Sequence, residues 1–198
     1  LFAKGLIKSG LGRRIAFILI RSFGTSSLKL AYTIAATELV IAPATPSNTA
    51  RGGGIIFPIV KSLSLAFSSE PGPTAKRMGS YLMLMGHTAN ISTAMIFLTA
   101  SAVNPLILSL GKSVVGVEIS WWQWFTAASV PGLISLFFLP YFLYKIYPPE
   151  IKHTPEAPVM AQKELDAMGK ASRAEIAVGI IFVGCLLLWA TSSFTKLA

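Results

Sequence analysis

An all-α polytopic membrane protein is predicted by three features of this 198-residue sequence. It is 53% hydrophobic and 13% charged, with a mean hydropathy of +0.64, whereas a soluble domain carries about 25% charged residues. Its charges are also unevenly spread. None lies between Arg77 and Lys112, between Glu118 and Lys145, or between Glu175 and Lys196, leaving runs of 34, 26 and 20 residues. Each run reaches the roughly 20 residues that cross ~30 Å of hydrocarbon. Finally, Trp121, Trp122 and Trp124 open the middle run and Tyr141, Tyr144 and Tyr147 close it, as in an interfacial aromatic belt. A disordered, collagenous or ordinary soluble chain is excluded.

The net charge of +9 does not point to nucleic acid, because the basic residues flank apolar runs, where the positive-inside rule places them. The lone Cys185 excludes a disulfide framework or a cysteine metal site and reads as a small buried apolar residue. No signal-peptide pattern opens the chain. The start at Leu1 and the stop at Ala198, just past an apolar run, predict a piece of a longer protein.

Residues 1–23 alternate Lys4, Lys8, Arg13, Arg14 and Arg21 with Leu6, Ile7, Leu11, Ile15, Ile18 and Leu19 at three- and four-residue steps. They predict an amphipathic helix along the membrane surface, or the interfacial end of a span, with Gly5, Gly10 and Gly12 arguing against one unbroken helix. Residues 28–46 and 50–67 are two short apolar arms around Pro46-Ser47-Asn48-Thr49. The first is interrupted by Glu38 and Pro43, the second by Arg51, three glycines, Pro58 and Lys61. Such arms predict a re-entrant helical hairpin over about 28–67, since irregular backbone at membrane depth needs protein or a water-filled cavity around it.

Residues 68–77 form a loop. The run 78–110 is too long for one straight span, and its polar centre, Gly86-His87-Thr88-Ala89-Asn90-Ile91-Ser92-Thr93, predicts a helix broken there. A loop over 105–120 precedes a span over 121–144. A linker over 145–175 holds five basic and five acidic residues and a short helix near 157–168. A last span covers 176–195. The 105–120 loop has one basic residue, the 68–77 loop two and the linker five, which places the last two in the cytoplasm and the hairpin's entrance there too.

Pro46 ends the first arm, and Ser47, Asn48 or Thr49 can cap the second. The helix start so exposed suits a carboxylate, while the first arm's free carbonyls suit a cation. The alternative is a kinked helix–turn–helix with a routine polar cap.

The segment PSNTARGGGIIFPI (46–59) resembles the first Ser-Asn-Thr hairpin of the divalent anion/sodium symporter (DASS) family, in its citrate/tartrate–succinate and 2-oxoglutarate/malate exchanger branch. GLGRRIAF (10–17), ISWWQWF (119–125), YPPEIKHTPEAP (147–158) and ELDAMG (164–169) extend the resemblance along the chain. It implies half of an inverted-repeat transporter. Residues 1–144 would be part of the first repeat, 145–175 a cytoplasmic linker and 176–198 the first span of the second. It further implies a secondary carrier of di- or tricarboxylates with an elevator-type motion, a homodimer, and a multi-pass place in a cell inner membrane or a plastid inner envelope.

Substrate would be held by Ser47, Asn48, Thr49, Arg51, Asn90, Ser92 and Thr93, with a sodium site near Ser47, Asn48 and Thr93 in coupled members. Those members tend to have a Ser where this chain has Pro43, which favours anion exchange over sodium-coupled symport. No other cofactor and no resident metal are implied.

Read from the residues alone, Arg51 either neutralises a di-anion or snorkels, and Glu38 pairs with Arg51 or Lys61. His87 is expected as a satisfied buried imidazole more than as a ligand, and His153 as solvated. Gly52–Gly54 allow either close backbone approach or flexing. The remaining classes are weaker. An intramembrane enzyme lacks clustered metal ligands and a nucleophile elbow around Ser47, and a passive channel subunit leaves the tip unexplained.

Overall fold

The computed structural model describes residues 2–195. Leu1 and residues 196–198, the outer ends of the first and last predicted segments, lie outside the described residues. Ten α-helices account for most of the chain: α1 (Phe2–Ser9), α2 (Leu11–Phe23), α3 (Ser27–Ile41), α4 (Asn48–Arg51), α5 (Phe57–Ala66), α6 (Gly79–Ile96), α7 (Val103–Val115), α8 (Trp121–Ile146), α9 (Glu156–Met168) and α10 (Arg173–Thr195).

The amphipathic start is two helices. Gly10 adopts φ 85°, a left-handed conformation that only glycine takes freely, and α1 turns into α2 there. Part of this apolar surface is covered by protein, while Ile18 stays exposed. Leu6, Ala16, Phe17 and Ile20 are buried, with α2 lying on α9 and α3.

The centre of the fold is α3, α5 and α6. Leu30, Ala31, Ile34, Ile59, Val60, Leu63, Leu82 and Met85 are shut away between them, each Leu or Ile contributing about 1.5–3 kcal/mol by leaving water. On the outside, α7, α8 and α10 display Leu106, Leu110, Val130, Phe137, Phe142, Ile180 and Leu187. Cys185 on α10 is half-buried and free rather than buried.

Helix α8, with 26 residues, is the one described helix long and apolar enough by itself to cross a membrane. Pro131 and Pro140 interrupt its ladder. The hydroxyls of Tyr32 and Tyr81 donate to the nearby carbonyls of Phe137 (2.8 Å) and Pro140 (3.1 Å). Helices α9 and α10 meet at a bend of 108°.

Helix α6 runs unbroken through the segment where a break was expected. Thr88 and Ser92 donate their hydroxyls to carbonyls one turn back, Leu84 at 3.0 Å and Thr88 at 2.9 Å, so their polarity is absorbed within the helix. The break falls instead at Phe97–Ala102, around a 3₁₀ turn at Leu98–Ala100. Pro105 explains its place, for a helix continued from α6 would need the N–H that Pro105 lacks. Asn104 then closes α6 by donating to the carbonyls of Ala94 and Phe97 at 2.8 and 3.0 Å. The expected 105–120 loop is also shortened, since α7 runs through it to Val115.

The linker is docked rather than loose. The carbonyl of Lys152 accepts from Ser27 N–H, and Thr154 N–H donates to Thr25. The N–H groups of Glu150 and Ile151 donate to Lys76 and Arg77. One strip thus holds the loop before α3 and the loop before α6 together.

Candidate functional site

The tip is built by local capping. After α3, a 3₁₀ turn at Ala42–Ala44 carries Pro43, and the backbone becomes extended at Thr45. Ser47 then caps α4, its hydroxyl accepting from Ala50 N–H at 3.2 Å while its carbonyl accepts from Arg51 N–H. The N–H groups of Asn48 and Thr49, the first two of the helix, have no acceptor within it.

Past Arg51 the helix widens into a π segment at Gly52–Ile56 before α5 begins, a feature that often accompanies function. Of its glycines, Gly54 answers to close approach, while Gly53 has open space around it. A Cβ on Gly54 would stand 2.7 Å from the Ile7 side chain, and one on Gly52 would stand 3.4 Å from the Asn90 amide.

Behind the tip lies a buried polar cluster, with Arg51 and Glu38 both fully buried. Arg51 Nε donates to Glu38 Oε2 at 2.5 Å. Nη1 donates to the carbonyls of Thr45 and Ala100, and Nη2 to the Asn90 carbonyl and Thr93 Oγ1, at 3.2–3.3 Å. All five donors of the guanidinium are used. Glu38 also accepts from Asn90 Nδ2 at 3.0 Å and Thr93 Oγ1 at 3.2 Å. Asn90 Nδ2 reaches the Asn48 carbonyl at 3.1 Å as well. Burying two charges is costly unless every lone pair and proton is satisfied; here the pairing is complete. The cluster ties the tip to both ends of the α6 break, and Thr99 Oγ1 adds a bond to the Pro43 carbonyl at 2.9 Å.

In front of the tip, between α5 and α6, is a cavity of about 430 Å³. Asn48, Thr49, Gly53, His87 and Asn90 line its polar part and Ile56, Phe57, Val60 and Met83 its apolar part. The side chains of Asn48, Thr49 and His87 have no hydrogen-bond partner among the described residues, so the cavity offers an amide, a hydroxyl and an imidazole uncommitted.

The seven residues named from the sequence therefore separate. Asn48 and Thr49 face the cavity. Asn90 forms its wall with its amide committed elsewhere. Ser47 is spent as a cap, and Arg51 and Thr93 lie in the buried cluster, out of reach of a cavity ligand. Ser92 is bonded to its own helix. The sodium position expected near Thr93 has the Arg51 guanidinium against it. Glu38 pairs with Arg51 and not with Lys61, and His87 is exposed and unpaired rather than buried and satisfied. His87 was discernible in the sequence as a ring one turn before Asn90 on the same helix face.

An all-helical membrane protein, broken twice around a buried ion pair and a polar cavity, is the class these features define. Residues 1–198 match the family described as the sodium:sulfate symporter transmembrane region, and the chain belongs to that family, the DASS carriers. It is 46% identical over 188 residues to YflS of Bacillus subtilis (strain 168), a protein named as a malate transporter, covering 94% of this chain and 39% of YflS. It is 45% identical over 189 residues to dicarboxylate transporter 1, chloroplastic, of Arabidopsis thaliana, covering 95% of this chain and 34% of that protein. It is 42% identical over 191 residues to the L-tartrate/succinate antiporter of Shigella sonnei (strain Ss046), covering 96% and 39%. The chain thus spans well under half the length of these relatives. Family and relatives are transporters, which supports a role other than catalysis.

Proposed function

We propose that this chain is the first repeat and linker of a dicarboxylate exchanger whose hairpin enters the membrane from the cytoplasm and ends at the Asn48–Thr49 tip. One substrate carboxylate is held by the Asn48 amide, the Thr49 hydroxyl and the two unpaired N–H groups of the tip. His87, across the cavity, meets the substrate's other end. Ser47, Arg51 and Thr93 act by positioning the tip. The names of the relatives support a C4 dicarboxylate such as malate, succinate or tartrate. The protein would work as a homodimer in a bacterial inner membrane, carrying its site across by an elevator-type motion.

One observation carries the exchange reading. Four oxygens, two from the turns at Thr45 and Ala100 and two from Asn90 and Thr93 on α6, converge on the Arg51 guanidinium. Carbonyl and hydroxyl oxygens gathered at helix breaks are a setting for a coupling cation in transporters, and here a fixed cation fills it. A carrier whose cation position is held by a guanidinium already balanced by Glu38 needs no sodium there to build its anion site, and returns across the membrane with an anion bound.

The test uses the full-length protein in proteoliposomes. Asn48→Ala and Thr49→Ala each remove a charge-assisted hydrogen bond worth roughly 1.5–3 kcal/mol, so apparent affinity for labelled malate or succinate falls about ten- to a hundred-fold. Vesicles preloaded with dicarboxylate take up label far faster than empty ones, at equal rates in sodium and choline. Wild-type kinetics in both variants would remove the tip assignment. Steep sodium dependence in empty vesicles would return the protein to symport.

A further inference from the structure

A second cavity, of about 620 Å³, lies further along the same face of α5 and α6, toward the 68–77 loop. Lys61, Ser64, Leu65, Glu70 and Ser80 line it. Phe57 and Met83 line both cavities, so the two are chambers of one groove with a waist at that pair. The spacing on the helices is regular. Ser80, Met83, His87 and Asn90 succeed each other at turn-length steps along α6, and Phe57, Lys61 and Leu65 do so along α5. From Gly79 to Ile91 the groove runs on the order of 18 Å, at 1.5 Å per residue.

Among the described residues, Lys61 is the one lysine or arginine lining either chamber, and it is exposed. It forms no ion pair among the described residues, Glu70 in the same chamber included. Arg51, the nearest basic residue in sequence on this arm, is closed off by its five bonds. The chamber opens beside the loop carrying Lys76 and Arg77, which the charge bias places in the cytoplasm.

An exposed ammonium at a mostly apolar groove, with no ion pair of its own, draws anions from the adjoining solution. With no fixed carboxylate bound to it, a mobile one takes that place. Past it, the waist at Phe57 and Met83 leads straight to Asn48, Thr49 and His87.

We infer that the lower chamber is a cytoplasmic staging site for carboxylate anions, in which Lys61 captures the substrate before it passes the Phe57–Met83 waist to the tip. The inference rests on the proposed exchange function and adds a second anion-binding position to it, on one side of the membrane only.

The experiment uses the full-length carrier with its cysteines, Cys185 included, replaced by Ser, oriented in vesicles of known sidedness. With Lys61→Gln, the KM for labelled malate presented to the cytoplasmic face rises about three- to tenfold and the KM on the opposite face stays unchanged. Lys61→Arg retains the wild-type value. Raising ionic strength weakens cytoplasmic capture in the wild type and has little effect in Lys61→Gln.

A second readout needs no transport. A Leu65→Cys probe in the lower chamber reacts faster with an anionic than with a cationic methanethiosulfonate reagent added from the cytoplasm, and Lys61→Gln reverses that preference. A Lys61→Gln carrier with an unchanged cytoplasmic KM overturns the staging site, whether or not the reagent preference moves. If Asn48→Ala abolishes affinity in the same vesicles, that failure leaves the tip assignment standing. If Asn48→Ala and Thr49→Ala are also silent, the tip assignment falls with it.

Discussion

Two ion pairs of this molecule use the same chemistry and do opposite things. Lys112 and Glu118 stand at the outer end of α7, both largely exposed (67% and 70%), 2.6 Å apart and touching little else. Arg51 and Glu38 are both at 0% exposure, and between them make seven hydrogen bonds, one of them the bond they share. The first pair exchanges water for a partner at almost no net gain. The second has no water to fall back on, so each charge depends on the other and on every carbonyl, amide and hydroxyl around it. A charge therefore organises a fold when its surroundings leave it no alternative. That is why Arg51 can hold three separated pieces of chain (the Thr45 turn, α6 and the Ala100 turn) in one arrangement.

Removing the buried cation should give the largest effect. Arg51→Gln leaves Glu38 buried without a counter-charge and takes the guanidinium donors from the Thr45, Ala100 and Asn90 carbonyls, costing about 3–5 kcal/mol. It should show as a steep fall in Tm and in monodisperse yield of the full-length protein in detergent. Arg51→Lys should be intermediate, because an ammonium keeps the charge but brings three donors to five acceptors. The double variant Glu38→Gln/Arg51→Gln should recover part of the loss by removing the stranded charge. An Arg51→Gln protein that melts with the wild type would break the comparison.

The pair between Arg14 and Glu175 tests the middle of the scale. Arg14 Nε and Nη2 bind the two carboxylate oxygens at 2.7 and 3.2 Å, with Glu175 nearly covered and Arg14 partly so. The hydrogen bond from Arg14 holds the Glu175 carboxyl below its ordinary range, helped by Ser172 against the opposing effect of burial. A depressed carboxyl stabilises above its unfolded pKa of about 4.3, and that contribution is lost as pH falls through the lower folded value. Glu175→Gln should lower stability by about 1 kcal/mol at neutral pH. The gap from wild type should persist from pH 7 to 5 and close only below about 4, as followed by Tm against pH. A gap that closes by pH 6 would assign the effect to another group. At the far end, Lys112→Gln should leave Tm unchanged within error.

The same contrast explains what the sequence could disclose. The tip was legible because its signals are local: Pro46 stops one helix and Ser47 starts the next, and the cap is found where the residues place it. Helices α8 and α9 were legible from aromatic ends and charge spacing, within two residues at each end. The α6 break was misplaced because polarity was read as irregular backbone. Thr88, Asn90, Ser92 and Thr93 instead send their bonds sideways or one turn back, and the true interruption is announced by Asn104-Pro105 further on. The division of labour at the site was hidden for another reason. Nothing in the spacing of Asn48 and Arg51 tells that one faces a cavity and the other turns inward, because that depends on Glu38, 13 residues away in sequence, and on α6.

The strip Glu150–Thr154 carries one more consequence, for the tolerance of this protein to change. Its hold on the two loops runs through main-chain N–H and carbonyl groups, with the Thr154 hydroxyl on the Gly24 carbonyl as a side-chain addition. Main-chain groups are common to nearly all residue types, so point substitutions at Ile151, Lys152 or His153 leave the stitching chemistry intact. Length is another matter. Glu150 and Ile151 engage the loop before α6 while Lys152 and Thr154 engage the loop before α3, so one inserted residue puts every later group out of step with its partner. This stretch can drift in spelling while its letter count stays fixed.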